Sequence, residues 1–151
     1  MYSTFYFQGG SDSMEIWKKY IVQGNRLYDQ NRAPEAIAKY SAALDRAVKL
    51  FNFWFEDDEI IAALLTSYHN LGDAYFRQGD GKAGLSCYQT VHQLLTDALS
   101  AEQPETKKYA ALERGISCSH MNLILKTKLL TENRTKLYPI KNKLNQTAKE
   151  Y

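Results

Sequence analysis

Two nine-residue stretches decide the fold: YIVQGNRLY at residues 20–28 and YHNLGDAYF at residues 68–76. They align without gaps on Gly24 and Gly72, and each lies in a proline-free segment with the apolar period of an α-helix. Both glycines are followed at 12, 16 and 19 positions by a small residue, a tyrosine and a second apolar residue. These residues are Ala36, Tyr40 and Ala43 in the first unit and Gly84, Tyr88 and Val91 in the second. We therefore predict two helical hairpins whose backbones approach closely at the small residues, with a tyrosine filling the space beside them.

The rest of the chain also has helical periodicity, and no stretch shows the alternating pattern of a strand. Proline followed by glutamate marks two helix starts, and Asp80 is suited to cap the fourth helix. A break is expected at residues 131–133. The predicted helices run from Met14 to about Asn31, from Pro34 to about residue 52, from Asp57 or Asp58 to about residue 78, from about residue 81 to Leu99, from Pro104 to about Leu130, and more weakly from Pro139 to Lys149. An all-α fold follows.

The second unit resembles the tetratricopeptide repeat (TPR) family. Its Leu71-Gly72-Asp73-Ala74-Tyr75 stretch reproduces the family's Leu-Gly-x-x-Tyr core, and Tyr68 stands where the family usually has tryptophan. The first unit has Gln23 in place of that leucine but keeps the glycine. The resemblance covers residues 17–99 well and residues 105–150 loosely. It implies antiparallel helical hairpins stacked as a short right-handed solenoid.

The repeats are longer than those of the family. Gly24 and Gly72 are 48 positions apart, and Gly72 and Gly115 are 43 apart, whereas TPR units have about 34 residues. We therefore expect a long-helix variant with three hairpins. The third unit, around Gly115, is degenerate because no matching small and aromatic residues follow it.

In TPR proteins the first helix of each hairpin lines a concave face that binds extended peptides or helices. The resemblance implies a non-catalytic protein-interaction module with a protein or peptide partner and no cofactor. A polar face that only contacts solvent is the alternative. The positions that the resemblance assigns to a peptide-binding groove are Lys18, Asn25, Asp29, His69, Asn70, Asp73 and Arg77.

An aromatic cluster follows the second predicted helix and consists of Phe51, Phe53, Trp54 and Phe55. Four large rings bury much apolar surface if they pack in a helix junction. The alternative is that Trp54 or Phe55 is exposed and forms an interface, either with a partner or with a second copy in a homo-oligomer.

Composition limits the other function classes. The chain has 151 residues, of which 44% are apolar and 24% charged, and this suits one compact domain. No apolar run reaches the length of a membrane span, and two cysteines are too few for a disulfide framework. A cytoplasmic protein without a membrane partner is expected. Residues 1–13 resemble a protease-cleavable expression tag, which leaves residues 14–151 as a single TPR-like helical domain.

Catalytic and metal-binding motifs are missing from the sequence. His69, His92 and His120 fall on different predicted helices, and none has the spacing of a metal-ligand motif. Cys118 is expected to be a small buried residue of its helix. The Gly79-Asp80-Gly81 turn lacks the lysine and hydroxyl of a phosphate-binding loop. We therefore expect neither an enzyme nor a metal protein.

The C-terminal segment is basic. Residues 126–151 contain seven lysines and arginines against two glutamates, a net charge of +5, while the whole chain has +2. Contact with a nucleic acid is one alternative function. The segment offers few interleaved aromatic residues, so a capping helix that covers the end of the solenoid is favoured.

Overall fold

A computed structural model describes the chain at residues 2–53 and 58–135, and its side chains at residues 14–53 and 58–132. These residues form five α-helices and no strand, which confirms the all-α prediction. Consecutive helices pack against each other, and α3 also contacts α1 and α5. The helices are α1 (Tyr2–Asp29), α2 (Ala33–Phe53), α3 (Asp58–Arg77), α4 (Gly81–Ser100) and α5 (Lys107–Thr135).

The turns that follow α1 and α3 have the same geometry. Asn31 and Gly79 adopt positive φ values of 63° and 87°. The amide of the next residue donates to the carbonyl five residues earlier, at 2.9 Å after α1 and 3.0 Å after α3. This is a Schellman motif, which reverses the chain within three residues. Asp80 then caps α4 by accepting a hydrogen bond from the Ala83 amide at 3.1 Å, as predicted.

In each hairpin, a glycine of the first helix packs against a tyrosine ring of the second helix. A Cβ atom on Gly24 would lie 2.5 Å from the ring of Tyr40. A Cβ atom on Gly72 would lie 2.8 Å from the ring of Tyr88 and 2.9 Å from the carbonyl oxygen of Gly84. Both tyrosines are buried, with 2% of their surface exposed. The predicted role of the repeated small and aromatic residues is therefore confirmed.

The two hairpins share their apolar core. One cluster of buried residues joins α2, α3, α4 and α5, with Leu64, Leu95 and Leu112 fully enclosed. A second cluster joins α1, α2 and α3 around Tyr40 and Leu71. Because α2 and α3 contribute to both clusters, the hairpins do not pack as separate units.

Several predicted helix boundaries are wrong. The first helix begins at Tyr2 and ends at Asp29, so its backbone includes most of the segment that resembles a tag. The fifth helix begins at Lys107 instead of Pro104 because the Thr106 hydroxyl accepts a hydrogen bond from the Tyr109 amide at its start. The predicted sixth helix lies outside the described residues.

The predicted break at residues 131–133 is also wrong, since α5 continues to Thr135. Thr127 and Thr131 donate their hydroxyl protons to the carbonyls four residues earlier, at 2.7 and 2.9 Å. These bonds satisfy the polar side chains within the helix itself, so the residues do not interrupt it.

Gly115 has a different role from the glycines of the first two units. A Cβ atom there would lie 2.6 Å from Ile61 of α3 and 3.4 Å from Leu95 of α4. Gly115 therefore lets α5 approach the preceding hairpin, whereas Gly24 and Gly72 contact the helix that follows them.

The two described residues of the aromatic cluster differ in their burial. Phe51 belongs to the core, whereas Phe53 is 75% exposed. Trp54 and Phe55, the residues of the predicted interface, lie outside the described residues. Cys118 is exposed, contrary to the prediction, because it lies on the side of α5 that carries exposed apolar residues such as Met121 and Leu125. Within the described helices, none is long and apolar enough to cross a membrane.

Replacing Gly72 with alanine should destabilise the fold by about 1–3 kcal/mol, because the new methyl group meets the Gly84 backbone as well as a ring. Gly81→Ala is the matched control, since its methyl group would clash with the flexible end of Leu130 and touch the Phe76 ring only at ordinary contact distance. Urea unfolding of the two variants measures the difference. Equal losses of unfolding free energy would contradict the close crossing.

Candidate functional site

The sequence-predicted groove residues divide into two sets. Lys18 and Asp29 lie on the exposed surface of α1. The other five predicted residues lie on α1 and α3, where Asn25 and Asn70 bond to each other and Asp73 pairs with α5. Together with Lys126 of α5 they form what we call the central polar cluster: Asn25, His69, Asn70, Asp73, Arg77 and Lys126.

Asn25 and Asp73 occupy the same place in the two units. Tyr40 donates its hydroxyl proton to Oδ1 of Asn25 at 2.6 Å. Tyr88 donates its hydroxyl proton in the same way to the carboxylate of Asp73, 48 positions further along. The residue after each glycine therefore accepts a hydrogen bond from the tyrosine that packs on that glycine. The sequence contains this signal, because the polar residue repeats at the same interval as the glycine and the tyrosine.

The cluster links successive hairpins. Asn70 of α3 donates a hydrogen bond to Oδ1 of Asn25 at 3.4 Å, so α1 and α3 meet there. Lys126 Nζ lies 3.2 Å from Oδ1 of Asp73 and thereby joins α5 to α3. The ammonium group also lies 5.6 and 5.5 Å from the ring centroids of Phe76 and Tyr88, within the range of a cation–π interaction.

Sequence analysis missed Lys126 as a site residue and placed it only in the basic C-terminal segment. The third unit was predicted around Gly115, and this alignment gave no reason to place residue 126 near the cluster. No local motif marks this lysine. Its position depends on how α5 packs across α3 and α4.

His69 is a partly buried, neutral side chain. Its ring stacks on Tyr88 with centroids 4.4 Å apart and planes 10° from parallel. Its Nε2 atom is buried and has no hydrogen-bond partner in the described part of the chain. Burial lowers the pKa of His69 to about 4, because the charged imidazolium would lose its hydration. At neutral pH the ring is therefore an uncharged stacking group.

Arg77 is held by the C-terminal turn of α1. Its guanidinium lies 3.6 Å from the ring centroid of Tyr28. Nη1 donates a hydrogen bond to the backbone carbonyl of Tyr28 at 2.5 Å. The Nε and Nη2 atoms are buried, and neither has a hydrogen-bond partner among the described residues.

The tyrosine and cysteine side chains near the cluster are protonated at neutral pH. Burial raises the pKa of Tyr40 and of Tyr88, and the negative charge of Asp73 raises the pKa of Tyr88 further. Burial raises the pKa of Cys87 to about 11, so its thiol is not a ready nucleophile. The described residues contain no group of three or more His, Cys, Asp or Glu side chains that could hold a metal ion.

Comparison with known proteins places the chain in a family. A family model described as "Protein of unknown function (DUF2753)" matches residues 15–145. The chain belongs to this family. The DUF2753 match includes every residue of the central polar cluster and both Gly–Tyr crossings. No curated protein and no solved structure matches the chain significantly.

The lowered pKa of His69 predicts a dependence of stability on pH. The unfolded histidine takes up a proton below about pH 6.5, whereas the folded one does so only near pH 4. The unfolded state therefore binds more protons in this window, and stability falls as the pH falls from 6.5 to 4.

His69→Phe is the test variant, because it keeps a ring that can stack on Tyr88 but cannot titrate. Urea unfolding at several pH values should show a smaller loss of stability for the variant than for the wild type between pH 6.5 and 4. Parallel curves would show that His69 does not titrate with a lowered pKa.

Proposed function

We propose that the protein is a non-catalytic interaction module with a TPR-like arrangement, in which α1, α3 and α5 line a concave face that accepts a peptide or helix. The central polar cluster is the recognition surface of this proposal. The chain would then act by presenting a preformed binding face to a protein partner, with no cofactor.

The repeated geometry of the two hairpins supports this arrangement. Both have a Schellman turn, a glycine beneath a tyrosine ring, and a polar residue that accepts the tyrosine hydroxyl. These features recur 48 residues apart. A recurrence at a fixed interval fits a repeat of similar units better than a bundle of unrelated helices.

The contacts between alternate helices carry the proposal. In stacked hairpins, the first helix of one hairpin lies beside the first helix of the next. Asn25 of α1 meets Asn70 of α3, and Asp73 of α3 meets Lys126 of α5. In this proposal, the two contacts join the polar residues of α1, α3 and α5 into one continuous face.

The face combines chemistry that suits a peptide ligand. Asn25 and Asn70 supply amide groups that can donate to or accept from a peptide backbone. Lys126 and Asp73 are partly exposed, at 28% and 36% of their side-chain surface. Since contacts with Tyr88 and Tyr40 hold several of these groups in place, little side-chain freedom would be lost on binding.

The neutral His69 and the protonated Cys87 thiol add no support for an enzyme. The two alternative functions stay predictions. Self-association through Trp54 and Phe55 depends on residues outside the described part of the chain. The same holds for most of the basic segment that would contact a nucleic acid.

Substitution of Asn70 tests the proposed face. A peptide selected from a display library against the whole protein should bind Asn70→Ala about tenfold more weakly, since the proposed hydrogen bond from Asn70 to the peptide would be lost. The fold should be retained, because Asn70 makes only one long hydrogen bond within the described structure. Isothermal titration calorimetry measures the affinity.

Gln89→Ala is the control, since Gln89 is an exposed residue of α4, a helix that contributes no residue to the cluster. It should leave the affinity unchanged. Equal binding of the selected peptide to wild type and Asn70→Ala, or a greater loss for Gln89→Ala, would contradict the proposed face.

A further inference from the structure

Arg77 has one edge of its guanidinium occupied and one edge unused. The planar group carries its N–H donors in a fixed fork geometry. Nη1 is bonded to the Tyr28 carbonyl, and the ring of Tyr28 covers one face of the plane. The side-on edge, formed by Nε and Nη2, is buried without a partner in the described part of the chain.

An unpaired edge of this kind is energetically unfavourable. Buried polar groups are nearly always hydrogen-bonded, and leaving a buried donor unsatisfied costs the full desolvation penalty of that group, which is larger when the donor is charged. Two adjacent donors on one edge match an acceptor with two oxygen atoms at carboxylate spacing. The fork geometry of Nε and Nη2 therefore indicates a carboxylate as the missing acceptor, and the positive charge of the guanidinium indicates that this acceptor is negatively charged.

Asp73 is one candidate acceptor on the same helix, but its carboxylate is engaged elsewhere. It lies four residues before Arg77 on α3, a spacing that favours an ion pair on a helix. Its carboxylate instead accepts the Tyr88 hydroxyl and pairs with Lys126. Because Lys126 neutralises Asp73, a second carboxylate could approach Arg77 without facing an unpaired negative charge.

We propose that the partner presents an aspartate or glutamate side chain whose carboxylate binds Nε and Nη2 of Arg77 as a bidentate pair. This inference rests on the proposed function and specifies the chemistry of the partner as an acidic peptide or helix. Arg77 as a residue is partly exposed, but its Nε and Nη2 atoms are buried, so the proposed pair requires the side chains that cover these two nitrogens to move aside when the partner binds.

A carboxylate fits the edge better than a phosphate group does. A phosphate dianion would bring a second full negative charge close to Asp73 and would lose more hydration on burial. A carboxylate brings a single charge, which the Arg77 guanidinium balances.

The test follows the Nε–Hε resonance of Arg77 in the ¹⁵N-labelled full chain. Sodium acetate replaces sodium chloride at constant ionic strength, and inorganic phosphate is titrated in a parallel experiment. We expect a saturable shift of the Arg77 resonance with acetate and a weaker response to phosphate. Arg26, an exposed arginine of α1, is the internal control and should show no saturation.

Arg77→Lys keeps the positive charge but lacks the fork. The backbone amide of Tyr28 serves as the probe in this variant, because Tyr28 contacts Arg77 in the wild type. Its response to acetate should weaken about tenfold relative to the wild type, as the loss of a charged hydrogen bond implies. A circular dichroism spectrum and unfolding curve of the variant verify that it folds.

An Arg77 response that does not saturate, or that matches the response of Arg26, overturns the proposal. So does tighter binding of phosphate than of acetate, or an unchanged acetate response in a folded Arg77→Lys variant. These results would leave the peptide-binding face itself intact, since that face is tested separately through Asn70. Conversely, loss of the Asn70 effect with saturable acetate binding would refute the face and keep the anion site.

Discussion

The close crossing of two helices at a glycine is the constraint on which the structure depends. At Gly24 and Gly72 no side chain larger than hydrogen fits, because Tyr40 and Tyr88 fill the space that a Cβ atom would need. Tight packing of this kind fixes both the separation of the helices and their register. Once the two crossings are set, the three-residue turns at Asn31 and Gly79 have the correct length to join the helices.

The same tyrosines connect the core to the polar face. Each ring is buried against a glycine, while its hydroxyl reaches Asn25 or Asp73. Those two acceptors also receive groups from the next hairpin, Asn70 in one case and Lys126 in the other. A change in the packing of either ring would therefore move a residue of the central polar cluster, so the packing of the core determines the geometry of this surface.

The sequence predicted what is local or strictly repeated. The helical class, the Asp80 cap and the Gly–Tyr crossings follow from short-range patterns and a fixed interval. The contact of Lys126 with Asp73 could not be predicted, because it joins residues 53 positions apart and no local motif marks the lysine. The break expected at residues 131–133 was wrong because Thr131 bonds to its own helix. The unused edge of Arg77 follows from three-dimensional burial, which periodicity does not report.

The most direct measurement of the central claim is a nuclear Overhauser experiment on the two glycines. The account predicts strong effects between the α-protons of Gly24 and the ring protons of Tyr40, and between those of Gly72 and Tyr88. Both pairs of α-protons should also be shifted by the ring currents of these tyrosines. Absence of either set of effects in the folded protein would contradict the repeated crossing on which the arrangement of the hairpins depends.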